Sequence, residues 1–330
     1  MPRVDNPPVG HPPAARICRS AANSLGCRPE YHRGVSIVTE PSELPSAEAA
    51  LPRGGDRVRR HRLSTRLWHW TNLVVITVML MSGLMIFNAH PRLYWGKFGA
   101  NPDHPWLEVS DHAGRGTLRI GSHSFDTTGL IGAATDAHGE VQAQAFPGWM
   151  TIPSTYSLAD ARLWHLAFAW LLACALAAYL LWSLANGHIR RDLHITRTEW
   201  SPRHILADVA DHARLRFPTG AAALRYNVLQ KLAYCAVLFG LIPLAIGTGL
   251  TMSPAFNSVA PWLLELFGGR QSARSLHFLA ALGLVLFVAV HLAMVVLAGP
   301  INEVRSMITG WYRLPGERKA SIGQEHPSHD

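Results

Sequence analysis

The sequence predicts an all-α integral membrane protein, a bundle of four transmembrane helices with both termini in the cytoplasm. Only 16% of its 330 residues are charged and 48% are hydrophobic, whereas about 25% of an ordinary soluble domain is charged. Four stretches of 21 to 23 residues contain no Asp, Glu, Lys or Arg. A helix needs about 20 residues to cross the hydrocarbon core. The predicted spans are Leu67–Phe87, Leu163–Ala185, Leu232–Met252 and Leu276–Ala298.

The orientation follows from the distribution of the basic residues. Segment 53–66 carries six arginines, loop 186–231 carries eight basic residues against four acidic ones, and the tail after residue 299 carries four basic residues. Short basic segments stay in the cytoplasm. Loop 89–161, which has four basic and seven acidic residues, and loop 253–275 are therefore predicted in the periplasm. The net charge of +8 thus indicates membrane orientation and not nucleic-acid binding.

The chain divides into three predicted parts. Residues 1–55 are rich in Pro, Ala, Ser and Arg without apolar periodicity, which is typical of a disordered extension. Residues 56–313 form the membrane domain, and residues 314–330 form a disordered tail.

Three shorter patterns predict local structure outside the spans. Thr117–Ile120 and the "GSHSFDTTG" that follows it predict a β-hairpin. In "SPRHILADVADHARLRF" (201–217), a capping Ser, a Pro in the first turn and apolar residues at helical spacing predict an amphipathic helix on the inner membrane face. "PINEVRSMITGWY" (300–312) shows the same pattern.

Four of the 18 histidines lie inside the spans: His69, His165, His277 and His291. Ionisable residues at this depth are costly and mark functional sites. His277 and His291 are 14 residues apart on the fourth span. At about 100° and 1.5 Å per residue, both leave one face of the helix, roughly 21 Å apart along its axis.

The predicted topology sorts these histidines into an inner pair, His69 with His291, and an outer pair, His165 with His277. Two histidines from different helices suit the two axial positions of a haem iron. Zinc usually takes three or four clustered ligands, and no Cys-x-x-Cys-His motif for covalent haem attachment occurs. The sequence therefore predicts two b haems, with the four histidines as ligands of the haem iron.

An arginine precedes three of these histidines by three residues: Arg66, Arg162 and Arg274. Each lies about one turn nearer the membrane surface, where its guanidinium can bind haem propionates through paired hydrogen bonds. The alternative is that these arginines only extend to the interface and set the helix orientation.

The residues around the histidines resemble the bacterial cytochrome b561 and nickel-hydrogenase cytochrome b family over about residues 57–313. The motifs are "RLWHW" (66–70), "RLWH" (162–165) and the His277-x13-His291 spacing. The family includes membrane subunits of hydrogenase, formate dehydrogenase and thiosulfate reductase complexes. Three further segments resemble a subgroup encoded beside sulfite-oxidase-like molybdenum enzymes. They are "RLYWGKFG" (92–99), "FPGWMTIP" (146–153) and "LAGPINEVRSMITGWY" (297–312).

The resemblance implies a dihaem b-type cytochrome in the bacterial inner membrane that carries electrons between the quinone pool and a periplasmic enzyme, most simply a molybdopterin enzyme docked on loop 89–161. The chain would be an electron-transfer subunit and not an independent enzyme. In the family, quinone chemistry occurs near the inner haem. The polar residues predicted at that depth are Tyr226, Asn227, Gln230 and Lys231, for which an ordinary polar helix entry is the alternative.

Two other functions remain open at this point. The chain could be a stand-alone transmembrane reductase that acts without a partner. It could also be a haem-free membrane anchor whose histidines are structural.

Overall fold

The computed structural model describes residues 55–100, 103–135, 139–214 and 227–314. Apart from Gly55 and Leu314, the predicted disordered segments 1–55 and 314–330 lie outside the described residues.

Within these ranges, four helical segments are long and apolar enough to cross a membrane: α1 (Leu63–Asn88), α2 (Leu158–Ala185), a third span (Val228–Thr251) and α8 (Arg270–Ala298). Each begins four to six residues before the charge-free stretch that predicts it. The added turns contain the arginines that precede the histidines. Long arginine side chains allow this because their guanidinium groups can reach polar surroundings while the helix continues.

The third span is not a uniform α-helix. It consists of α4 (Val228–Cys235), a π-helical turn (Ala236–Leu241) and α5 (Ile242–Thr251). Pro243 lacks an N–H group, and its ring conflicts with the carbonyl four residues earlier. The wider turn directly before Pro243 accommodates this residue, as local π geometry does in membrane helices.

Loop 89–161 folds into a four-stranded antiparallel sheet with the order β2-β3-β4-β5. The loop also contains a two-stranded ribbon, β6–β7, and a 3₁₀ turn at Gly148–Met150. The predicted hairpin at 117–126 is confirmed, since Ile120 pairs with His123 across a two-residue turn. The protein is thus mostly helical, and the rest of this sheet is an addition to the predicted all-α fold. The strands are β2 (Arg92–Leu93), β3 (Leu107–His112), β4 (Arg115–Ile120), β5 (His123–Asp126), β6 (Ala134–Thr135) and β7 (Val141–Gln142).

The sheet is attached to the ends of α1 and α8. The Asn88 amide donates to the Phe146 carbonyl over 2.9 Å and accepts from the Phe146 N–H over 2.7 Å. Trp106 Nε1 donates to Ser275 Oγ over 3.0 Å, and this hydroxyl donates to the Tyr94 carbonyl over 2.6 Å. A buried apolar cluster lies beneath the sheet: Phe87, Leu93, Leu107, Val109 and Ala145.

The opposite side of the bundle carries both ends of the described chain. Strand β1 (Arg57–Arg59), before α1, pairs antiparallel with β8 (Trp311–Arg313), which follows α9 (Pro300–Thr309). Both predicted amphipathic helices form. One is α9, and the other is α3 (Pro202–Ala213), whose first turn is capped by the Ser201 hydroxyl. Two short helices, α6 (Pro254–Val259) and α7 (Pro261–Leu266), connect the third span to α8.

Glu108 connects three strands of the sheet. It lies opposite Arg92 on β2 and Arg119 on β4, and its carboxylate accepts hydrogen bonds from them over 2.7 Å and 2.5 Å. Burial raises the pKa of this carboxyl, but the bonds from Arg119 and Arg92 outweigh burial and hold the pKa below its usual range. A lowered folded-state pKa stabilises the fold above the unfolded-state pKa, and this stabilisation is lost as the pH falls through the folded-state value.

We predict that Glu108→Gln lowers the stability of the sheet by about 2 kcal/mol, because two arginines lose a charged partner whose side chain is 11% exposed. Tryptophan-fluorescence melting of the purified protein at pH 7 measures this. The matched control is Glu265→Gln, which removes the exposed Lys97–Glu265 pair and should change stability by less than about 1 kcal/mol. Equal melting temperatures for the two variants would contradict the prediction.

Candidate functional site

The structure brings the four membrane histidines together as two pairs. His69 on α1 faces His291 on α8, and their ring centroids are 6.1 Å apart. His165 on α2 faces His277 on α8, also with a centroid separation of 6.1 Å. Helix α8 therefore contributes one ring to each pair.

The outer pair has a defined tautomer. His165 Nδ1 lies 3.1 Å from the Met79 carbonyl oxygen, and His277 Nδ1 lies 2.9 Å from the Ala245 carbonyl oxygen. Because a carbonyl can only accept, each Nδ1 must carry the proton. Each Nε2 consequently has a free lone pair, which is the form of imidazole that binds a metal.

Hydroxyl groups and glycines complete the surroundings of the outer pair. Ser82 Oγ lies 3.1 Å from His165 Nδ1, and Thr248 Oγ1 lies 3.1 Å from His277 Nδ1. A Cβ on the following residue, Gly83 or Gly249, would approach the Cε1 of the same ring to 3.2 Å or 3.3 Å. None of these four residues is among the site residues predicted from the sequence, although "SGL" (82–84) and "TGL" (248–250) form a similar pair of tripeptides.

The inner pair is held differently. The Nδ1 of His69 is buried and has no hydrogen-bond partner among the described residues. Trp70 contacts the His69 ring edge-on at 5.2 Å, and Phe287 stacks on His291 at 5.9 Å. Aromatic packing therefore orients this pair, where backbone carbonyls and hydroxyls orient the outer pair.

A buried histidine outside the spans, His61, lies close enough to the inner pair for an electrostatic interaction with His69. Burial lowers the pKa of His61 to about 4, helped by the positive charges of Arg60 and Arg66. His61 is therefore neutral at neutral pH, and it is not among the site residues predicted from the sequence.

An apolar layer separates the two pairs. Leu284 lies seven residues from both His277 and His291 along α8, and it is buried in the central cluster. Such a layer excludes water and ions from the space between the pairs. The other buried members of this cluster are Val75, Leu172, Leu176, Leu193, Leu238 and Ile242.

The pairs fit a haem iron. A metal–imidazole nitrogen bond is about 2 Å long. Two such bonds in line, plus the distance of about 1 Å from each ring centre to its nitrogen, give a centroid separation of about 6 Å. Both pairs have this spacing. Within the described ranges, no group of three or more His, Cys, Asp or Glu side chains is positioned to hold a metal ion.

The three arginines proposed to bind propionates have different surroundings. Arg66 donates from Nε to the Met307 carbonyl over 3.3 Å and from Nη2 to the Ile308 carbonyl, at the end of α9. Arg274 donates to the carbonyls of His90 and Arg92, which hold the start of loop 89–161. Arg162 is exposed on the first turns of α2. Two of the three arginines thus have a structural role, and propionate binding stays a prediction for all three.

The polar residues proposed for quinone binding are also engaged. Tyr226 lies outside the described residues. Asn227 and Gln230 form a reciprocal capping box at the start of α4. Lys231 Nζ donates to Glu199 Oε1 over 2.7 Å, and this hydrogen bond is the main cause that lowers the Glu199 pKa to about 2. These contacts support the alternative of a polar helix entry.

Comparisons with known proteins agree with this architecture. Residues 60–310 match the family model of prokaryotic cytochrome b561. YedZ1 of Azospira oryzae, provisionally named a protein-methionine-sulfoxide reductase subunit, is 28% identical over 233 residues, which cover 70% of this chain and 87% of that protein. The provisionally named cytochrome YdhU of Escherichia coli is 23% identical over 270 residues, which cover 78% of this chain and 76% of YdhU. No solved structure gives a significant match.

The family match covers well over half of the chain and includes all four spans and all four membrane histidines. Cytochromes of this type contain haem b and transfer electrons in bacterial membranes. The chain therefore belongs to the prokaryotic cytochrome b561 family and is a multi-pass membrane electron-transfer subunit.

Proposed function

We propose that the chain holds two b haems, one between the inner pair and one between the outer pair. The observation that carries this proposal is the equal spacing of the two pairs, 6.1 Å between ring centroids in each. A haem iron bound by two imidazoles exchanges single electrons and keeps no open position for a substrate. This favours electron transfer over stand-alone reductase chemistry, and the close pairing of four costly intramembrane histidines disfavours a haem-free anchor.

The protein's own contribution is to hold and insulate the two centres. Helix α8 carries one ligand of each centre, so the two are roughly 21 Å apart along one rigid element. The buried cluster around Leu284 keeps water out of the intervening layer. The two pairs lie near opposite ends of the helices, and we therefore propose that electrons cross the inner membrane between them.

The orientation proposed is that both termini and the inner pair face the cytoplasm. The basic segments 53–66 and 186–231 support this. Quinone or quinol then exchanges electrons near the inner pair, a proposal that rests on the family resemblance. Because Asn227, Gln230 and Lys231 already bond within the chain, quinone binding there would have to use the hydrogen-bonding capacity that they retain.

The periplasmic partner is proposed to dock on loop 89–161, beside the outer pair. Trp106 on this loop bonds to Ser275, two residues before His277, so the loop lies directly over one outer ligand. Next to Trp106, Trp95 and Phe98 expose aromatic surface, and Phe98 is 86% exposed. A molybdopterin enzyme is proposed because of the subgroup motifs, and the name of the relative YedZ1, a reductase subunit, is consistent with such a partner.

The first prediction from this proposal is a haem content of two per chain, because each pair would supply two imidazoles to hold one haem. A pyridine haemochrome assay on the purified full-length protein measures the content against protein mass. A value near one with full occupancy would contradict the two-centre proposal.

The second prediction concerns the pairing. His69→Leu should remove only the inner centre, and His165→Leu only the outer one, because each residue contacts a different partner on α8. Potentiometric titration of the visible spectrum identifies the centre that is lost. His123→Leu, on exposed strand β5, is the control and should retain both. Loss of the same centre in both variants would refute the assignment.

The third prediction concerns docking. A deletion of most of the loop, such as residues 103–140, would also remove the buried Leu107 and Val109 and disturb the fold. Point substitutions on the loop surface are therefore the sharper test. Phe98→Glu should slow reoxidation of the dithionite-reduced protein by periplasmic extract at least tenfold. Phe125→Glu, at 52% exposure on the strand farthest from β2, is the matched control and should have little effect. An unchanged rate for Phe98→Glu, with an intact haem spectrum, would place docking elsewhere.

A further inference from the structure

We propose that Ser82 and Thr248 are positioning residues that orient the outer pair, strengthen the hydrogen bonding of its Nδ1–H groups and thereby lower the reduction potential of the outer haem. This inference rests on the proposed function, because it concerns the centre held by His165 and His277. It assigns a role to two hydroxyl groups that lie inside apolar helices.

The direction of the hydrogen bonds follows from the contacts of the two hydroxyl groups. Ser82 Oγ lies 2.6 Å from the Val78 carbonyl, and Thr248 Oγ1 lies 2.6 Å from the Leu244 carbonyl. Each hydroxyl therefore donates its one proton to the backbone carbonyl four residues earlier. The oxygen lone pairs remain to accept from the imidazole Nδ1–H, 3.1 Å away in both cases.

The same N–H also reaches a backbone carbonyl, at Met79 for His165 and at Ala245 for His277. In a regular helix each of these carbonyls accepts from the residue four positions later, which is Gly83 or Gly249. Both positions lack a Cβ, which would otherwise come within 3.2 Å or 3.3 Å of the ring. Each imidazole is therefore bound by one arrangement of three groups on the facing helix. These are the carbonyl of Met79 or Ala245, the hydroxyl three residues later, and the glycine four residues later.

This arrangement occurs twice, once in each helical hairpin. α1 presents it to His165 on α2, and α5 presents it to His277 on α8. Two independent copies with distances within 0.2 Å of each other are difficult to attribute to ordinary helix packing. The inner pair differs, since the buried Nδ1 of His69 has no partner among the described residues.

The chemical consequence follows from the effect of outer hydrogen bonds on metal ligands. An acceptor on Nδ1–H makes the imidazole a stronger electron donor at Nε2 and fixes its tilt. Stronger donation favours the oxidised iron and so lowers the reduction potential. A hydroxyl that already donates to a carbonyl is polarised and accepts more strongly.

A purely structural role is the competing explanation, and the chain offers a matched control. Thr77 on α1 makes the same bond to the carbonyl four residues earlier, Leu73, over 2.7 Å, and its side chain is exposed. Thr77→Val therefore removes an equivalent hydroxyl that contacts neither ring. If the hydroxyls only shape their helices, all three substitutions should have similar effects.

The experiment is spectroelectrochemical titration of the full-length haem protein with Ser82→Ala, Thr248→Val, their combination, and Thr77→Val. We expect each outer-pair substitution to shift the one-electron equilibrium of the outer centre three- to tenfold towards the reduced form, an upward shift of about 30 to 59 mV. The inner centre should keep its potential, and Thr77→Val should shift neither. The conservative Ser82→Thr should restore the wild-type value.

The haem content of each variant, measured beside the two potentials, separates the possible outcomes. Selective loss of the outer haem in Ser82→Ala, restored in Ser82→Thr, also supports a positioning role. An unchanged outer potential with two haems bound, or equal shifts of both centres, overturns the inference. Fewer than two haems in the wild-type protein would instead overturn the proposed function, so the two failures are distinguishable.

Discussion

An imidazole N–H group in the hydrocarbon layer needs an acceptor, because lipid offers none and an unsatisfied polar group there is costly. The outer pair meets this requirement with backbone carbonyls that are already part of helical ladders, assisted by one hydroxyl each. Glycine at the adjacent position favours this close contact between ring and backbone, because an added Cβ would crowd the ring. The pairing of α1 with α2, and of α5 with α8, thus serves both the packing of the bundle and the protonation state of His165 and His277.

The two halves of the bundle are related through this contact. In each half, one helix supplies the carbonyl, hydroxyl and glycine, and its neighbour supplies the histidine. The two ends of the bundle differ. At one end, α9 and β8 pack against the start of α1. At the opposite end, the sheet of loop 89–161 packs against the end of α1. The two histidine pairs are consequently alike in spacing but different in their surroundings.

Hydropathy was sufficient to predict the four membrane helices, and helical geometry with the charge distribution was sufficient to sort the histidines into the two groups that the structure brings together. The sheet of loop 89–161 was predicted only at its hairpin, because strands as short as Arg92–Leu93 leave little alternating pattern. Ser82 and Thr248 were missed because a hydroxyl in an apolar run is common. The three-residue spacing of Arg66 and Arg274 from a histidine indicates their depth in the membrane. It does not reveal that their guanidinium groups donate to backbone carbonyls of distant segments.

The placement of one histidine of each pair on α8 also constrains how the chain can change in length. A single inserted residue between His277 and His291 would rotate one ring by about 100° around the helix axis, away from its partner. Restoring the facing would require about four added residues, close to one full turn, which would lengthen the segment by roughly 6 Å. Loops such as 89–161 tolerate insertions far more readily. Related proteins with this ligand arrangement should therefore vary in their loops while retaining the same number of residues between these two histidines.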